Sequence, residues 1–238
     1  MRCSILCLLA ASRVANAQDE FEIQVYDSAT ATQGDVGVEL HLNHHLIDGA
    51  KNQTHTTFEP HYGLRDWLEL GAYLQASEAR GEHPEFAGFK LRVKARMPER
   101  YWGGRIGLAV NGELSIVPSQ YEANVYGSEI RPIADLRDGA FYASVNPIIA
   151  TDLGGSLAGH PQLEPCAKLA YFVDPAFALG VEGYGAFGPI DDLGSENVER
   201  GYVAFDYVGH TFDVNVGIGL THGIGDHPIG KLIFGIHP

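Results

Sequence analysis

The clearest pattern in the chain runs from Phe89 to Met97, read FKLRVKARM. Phe89, Leu91, Val93, Ala95 and Met97 share one parity, and Lys90, Arg92, Lys94 and Arg96 share the other. Successive side chains of a strand point to opposite faces, so the stretch predicts a ribbon with one oily and one cationic face. A helix would scatter both sets around its girth. In a soluble sandwich the oily face would be buried. In a membrane barrel it meets lipid and the cations line the lumen.

The same period recurs along the chain. Alternating stretches begin near Gly34, Thr54, Trp67, Phe89, Arg105, Glu129, Phe141, Leu163, Phe177, Tyr202, Phe212 and Ile229, which predicts twelve strands. Short connections fall at Arg65-Asp66, Pro98 to Trp102, Arg137 to Gly139, Asp174-Pro175 and Gly209-His210. They alternate with longer polar ones near Asp48 to Asn52, Ala76 to Glu85, Pro118 to Gly127, Asp152 to His160, Gly188 to Val198 and Thr221 to Pro228. That alternation predicts an all-β chain: a single antiparallel transmembrane β-barrel, with short periplasmic turns and longer outer loops. Tyr62 and Trp67, Tyr101 and Trp102, Phe172 and Phe177, and Tyr207 and Phe212 bracket the short turns, as an interfacial girdle would. Pro60, Pro132, Pro147 and Pro165 pull the other way, because each removes a ladder hydrogen bond; they are expected near strand ends or bulges.

Composition narrows the choice. The 238 residues carry a formal charge of −14, which excludes nucleic-acid binding through a basic footprint. No run of eighteen apolar residues follows the N-terminus, so no spanning helix is predicted, but a spanning strand needs only about 9–11 residues. Residues 1–17, MRCSILCLLAASRVANA, read as a secretory signal ending in the small-x-small site Ala15-Asn16-Ala17. Residues 18–33, including EFEIQVYD, are expected to form a leading periplasmic segment, and residues 34–238 the barrel. Cys3 and Cys7 leave with the signal, so Cys166 stands alone and no disulfide forms within the mature chain. Stability must then come from elsewhere, and pairing every strand in a closed barrel supplies it.

Candidate chemistry sits on the polar parity. Lys90, Arg92, Lys94 and Arg96 form a basic ladder, with Arg105 opening the next strand. Such a row repels itself unless answered, and Glu69, Glu113, Glu129 and Asp135 are the candidate opposing wall, with Tyr73 and Arg131 on the same lining. Cations facing acids across a narrow pore favour small anionic or zwitterionic solutes. The same charges can instead cross-link and plug a closed barrel. Folding the first hairpin in one register sets Glu39 opposite His61, His41 opposite Glu59, and His45 opposite His55. His41, Glu59 and His61 are thereby weak metal candidates, against a reading as hydrated ion pairs. No catalytic constellation, phosphate loop or cofactor motif stands out.

The stretches EIQVYD, GVELHLNHH, THTTFEPHYGLRDWLELGAYL, FKLRVKARMP, SEIRPIADLRDG and VNVGIGLTHGIGDHPIGKLIFG resemble a poorly characterised family of Gram-negative outer-membrane β-barrels with transporter roles. With no catalytic signature among the residues, enzyme activity is not expected; the resemblance implies about twelve strands and a passive channel or transporter. Its partners are outer-membrane lipid, small polar solutes and the barrel-assembly machinery. One departure is that such barrels usually end in an aromatic residue, whereas this chain ends in Pro238. Two other functions stay open: a closed outer-membrane barrel with a structural or adhesive role, and a soluble exported β sandwich that binds a ligand.

Overall fold

The alternating stretches form antiparallel strands that close on themselves. The computed structural model describes residues 20–47, 52–79, 82–121, 124–155, 158–195, 198–222 and 227–237; the predicted signal, Gln18 and Pro238 lie outside them. The strands are β1 (Val36–His45), β2 (Gln53–Arg65), β3 (Leu68–Ala79), β4 (Glu85–Arg96), β5 (Ile106–Ile116), β6 (Tyr126–Asp138) and β7 (Phe141–Asn146). They continue with β8 (Ile149–Asp152), β9 (Gln162–Leu163), β10 (Cys166–Phe172), β11 (Phe177–Ala186), β12 (Val198–Val208), β13 (Phe212–His222) and β14 (Pro228–Ile236). β7 with β8, and β9 with β10, are broken halves of single staves, so the barrel has twelve. β1 pairs with β14, from Val38 opposite Ile236 to His45 opposite Ile229, and this seam leaves no open edge. In lipid every backbone N–H and C=O needs an internal partner, and closure provides it.

The parity sorts as a membrane barrel requires. Large apolar residues face outward, with Val203 68 % and Ile218 72 % exposed, while Lys90, Arg92, Glu113, Arg131 and Glu182 are buried inside. This is the inverse of a sandwich core, so the soluble-sandwich alternative is excluded. Aromatics ring the short-turn end, Phe177 and Phe212 exposed and Tyr207 and Phe234 half-buried: Phe177 lies 5.1 Å from Tyr207, Tyr207 5.1 Å from Phe212, and Phe212 5.9 Å from Phe234. Phe172 is a correction to that ring. It turns inward against Tyr142, and its neighbour Tyr171 takes the outer place, 5.1 Å from Phe141.

The prolines are arranged rather than scattered. Pro147 and Pro165 occupy the breaks between the paired half-staves. Counting inward from the flanking registers brings Pro132 opposite Pro147, and Pro147 opposite Pro165. The missing donors of three neighbouring staves are therefore gathered in one lateral row. Pro60 differs from the expectation of a strand end. It sits within β2 opposite Val38, and the β2–β3 ladder skips Glu59 and Pro60 before resuming at His61.

Candidate functional site in the barrel lumen

A polar parity turned inward puts charges where water is scarce, and an unpaired buried charge costs several kcal/mol. Each inward cation should therefore have an acid within reach. Arg92 places Nη2 2.8 Å from Glu59 Oε1 and 2.6 Å from Glu69 Oε1. Lys90 Nζ lies 3.5 Å from Glu113 Oε2. These partners stand on β2, β3 and β5, not across an open pore. Strand neighbours answer first because their side chains leave the wall within reach of each other.

The leading segment, expected on the periplasmic side, answers the rest from inside the barrel. Phe21, Glu22, Ile23, Tyr26 and Ser28 are all buried. The main chain of Tyr26 pairs with one side chain of the wall: its N–H donates to Asn146 Oδ1 at 2.8 Å, and its carbonyl accepts from Asn146 Nδ2 at 3.1 Å. Ser144 Oγ donates to the same carbonyl at 2.6 Å, Thr57 Oγ1 to Phe21 O at 2.9 Å, and Lys231 Nζ to Ile23 O at 3.1 Å. Ile23 packs on Ile148, Cys166, Tyr184, Tyr202 and Ile229, a small apolar patch in an otherwise polar lining. The alternation of EFEIQVYD thus serves a ribbon with two different walls to touch, although it joins no ladder.

On its charged side the segment completes the ladder. Glu22 Oε1 lies 3.3 Å from Arg131 Nη2, and Glu22 Oε2 4.0 Å from Lys90 Nζ. Asp27 Oδ1 is 3.8 Å from Lys94 Nζ. The Tyr26 ring lies under the Arg131 guanidinium at 4.4 Å and near Lys94 Nζ at 5.1 Å, geometry in which cations are attracted to the ring face. The Tyr26 hydroxyl donates to Glu22 Oε1 at 2.6 Å and stands 2.5 Å from the Tyr73 hydroxyl. Tyr73 in turn reaches Glu113 Oε1 at 3.4 Å.

Other residues singled out from the sequence sort differently. Glu129 pairs with Arg131 on its own strand at 2.8 Å. Asp135 takes a partner that sequence reasoning missed: Arg100, from the turn before β5, lies 2.6 Å away and also donates to Ser28 Oγ at 3.2 Å. Arg96 sits at the turn end, its Nε donating to Thr30 Oγ1 and to Asp66 O. Arg105 leaves the lining altogether, being exposed and paired with Asp138 at 3.3 Å. The break comes with the turn, because parity carries over only within an unbroken strand. A second network gathers on the far wall. Lys231 and Lys168 converge on Glu182, and Lys168 reaches Asp206 at 2.6 Å.

The first hairpin pairs two residues out of the expected register. Glu39 stands opposite Glu59, His41 opposite Thr57, Asn43 opposite His55 and His61 opposite Gly37. Gly37 leaves room for the His61 ring, which a Cβ there would meet at 2.2 Å and push aside. A slip of two keeps parity, so His41 still finds Glu59, 3.2 Å away, with Glu39 at 3.4 Å. His61 is not in that group. Arg92 already occupies the other Glu59 oxygen, so the triad reads as a histidine held between two carboxylates.

Beside the inserted segment lies a cavity of about 450 Å³ toward the short-turn end. Asp27, Glu39, Lys94, Arg137, Asp206 and Lys231 are among its lining, so both signs of charge face it. The segment bounds it together with both sides of the wall: Arg92 and Lys94 of the ladder line it from β4, and Glu182, Asp206 and Asp213 from β11, β12 and β13.

No protein-family model matches the sequence, and no curated protein matches it. Solved structures do. The COG4313 outer membrane channel from Pseudomonas putida F1 superposes with a TM-score of 0.60 at 12 % identity, over 91 % of this chain and 100 % of that one. The KdgM porin in complex with disordered oligogalacturonate gives 0.56 at 8 % identity, over 83 % and 98 %. At such identities the likeness is one of fold. Taken with the closed seam, apolar exterior and charged lumen, it makes the chain a twelve-stranded β-barrel of the outer-membrane type.

Proposed function

We propose that the barrel is an outer-membrane channel for small polar solutes, anionic or zwitterionic, held closed by its own leading segment. The observation that carries this reading is how the segment is held. Its main chain and carboxylates meet hydroxyls, amides and ammonium groups that water or a polar solute can satisfy in its place. Between Glu20 and Ala31 the segment has three carboxylates and no cation. Its withdrawal removes negative charge only, leaving Lys90, Lys94 and Arg131 with fewer partners along the path. The porin of similar fold that holds oligogalacturonate makes an acidic solute a sensible first probe. On this reading the signal directs export, lipid surrounds the wall, and the barrel-assembly machinery inserts it.

The density of pairs across the lumen favours a second reading, a closed barrel with a structural or adhesive role. Planar-bilayer recording separates the two. The full chain should show rare or small openings, and deletion of Glu20 to Ala31 should give large stepwise conductance. In that deletion background, Lys90→Gln combined with Lys94→Gln should shift the reversal potential away from anion preference. A deletion variant that stays folded, seen as a gel shift between unboiled and boiled samples, yet passes no current would establish the closed barrel. Conductance with unchanged selectivity would remove the ladder from the mechanism.

A further inference from the structure

We propose that Glu20, His45 and His55 form a site for a divalent transition metal of the zinc type, and that this metal latches the leading segment to the wall at the long-loop end. The latch rests on the reading of that segment as a removable plug; the metal site does not.

The register of the first hairpin builds the site. Asn43 opposes His55 and His45 opposes Gln53, so His45 and His55 are diagonal neighbours on the inward parity. Their ring centroids are 5.0 Å apart and the planes stand at 89°. Both residues are almost completely buried. Glu20, at the start of the described segment, brings Oε2 to 3.5 Å from His55 Nε2. One donor atom from each of the three lies within 4.8 Å of the others. Zinc–nitrogen and zinc–oxygen bonds of about 2.0–2.2 Å place tetrahedral ligands roughly 3.3–3.5 Å apart, so closure around an ion needs a movement of about 1 Å. The Glu20 side chain, partly exposed and flexible, can supply it.

A separate feature points to a ligand. His45 Nδ1 lies 3.1 Å from His227 Nε2, and only one proton can occupy that hydrogen bond between neutral rings. With His45 as donor, its Nε2 keeps a free lone pair, and that atom is buried with no hydrogen-bond partner. Metal-binding histidines are arranged in this way, with the second nitrogen fixed by an outer partner. Glu20 is oriented similarly: Arg200 Nη2 donates to its Oε1 at 3.2 Å and leaves Oε2 toward the histidines. The positive charge of Arg200 lowers affinity relative to a buried structural zinc site. The histidine between Glu39 and Glu59 lacks this opportunity, since Arg92 already neutralises Glu59.

The consequence follows from where the ligands reside. His45 and His55 belong to the wall, and Glu20 belongs to the plug. A metal held by all three favours the closed state, because withdrawal of the plug removes a ligand.

Cobalt(II) titration of the full-length barrel in detergent micelles near pH 7.5 tests the site. One equivalent should give visible absorption bands of a low-coordinate cobalt centre, abolished by competing zinc. His45→Gln and His55→Gln should each weaken binding more than tenfold, the effect expected when a ligand or its support is lost. Glu20→Gln should weaken it less, and the exposed His210→Gln not at all. Each variant is checked for the gel shift of a folded barrel. Absence of a stoichiometric cobalt spectrum, or a spectrum unchanged in folded His45→Gln and His55→Gln, overturns the proposal. A silent deletion variant in the bilayer overturns the channel and leaves a positive cobalt result standing. A conducting deletion variant alongside a full chain that binds no cobalt overturns the latch alone.

Discussion

Arg92→Leu is expected to lower the stability of the barrel by about 3–5 kcal/mol, the range for stranding a buried charge by removing its partner. Arg92 is 4 % exposed and bonds Glu59 and Glu69 through one nitrogen. It also lies under two rings, 5.7 Å from the centre of Tyr26 and 6.0 Å from that of Tyr73. Gly71 stands opposite and keeps this space clear, since a Cβ there would meet Arg92 Nε at 2.8 Å. Leucine fills part of the volume and leaves two carboxylates facing each other in a dry region. Arg92→Lys should fall between, because an ammonium keeps the charge but not the reach of a planar guanidinium. The exposed pair of Arg105 and Asp138 is the control, and Arg105→Leu should change little. Urea unfolding in lipid vesicles, followed by tryptophan fluorescence, measures all three. Equal midpoints for Arg92→Leu and Arg105→Leu would mean that water reaches the Glu59–Glu69 pair freely.

Ile218→Arg is expected to cost about 2–4 kcal/mol in the same assay, the range for a cation on the lipid face near the bilayer midplane. Ile218 lies near the middle of β13, opposite Val203 on one side and Gly230 on the other, with its side chain outward. On a water-facing strand such a change would fall within a few tenths of a kcal/mol. The two substitutions are complementary: removing a charge from the inside and adding one outside should both destabilise. Loss of the first effect with retention of the second would indicate a wet lumen. The reverse would put the outer face in water.

The wall was legible in the sequence because a period of two is a local property. FKLRVKARM and its relatives showed which face of each strand is oily without any knowledge of its neighbours. Register was less legible. A slip of two residues preserves parity, and the polar connection after His45 is long enough to close the hairpin in more than one register. The partners of the inward charges depend on closure, which no local pattern encodes. Arg100 meets Asp135 only because the turn folds over the rim. Lys231 reaches Glu182 across two intervening strands, and Gly217 opposite it has no side chain to block the path. EFEIQVYD announced a two-faced ribbon, but nothing in it said which surface it would lie against.

The row formed by Pro132, Pro147 and Pro165 gives the plug a second task. Across three neighbouring staves the wall lacks rungs at one height, and the leading segment lies against the inside of that same band. Asn146 clasps Tyr26, Ile148 packs on Ile23, and Cys166 Sγ stands 3.8 Å from Gln24 O. The segment therefore braces the wall where the ladder is interrupted. An emptied barrel would not be the same rigid vessel with its cork drawn, since the stretch of wall that relied on this brace would soften as it departs. On the channel reading proposed above, opening and loosening of the wall would be one cooperative event, and a solute that displaces the segment would also have to compensate for the support it provides.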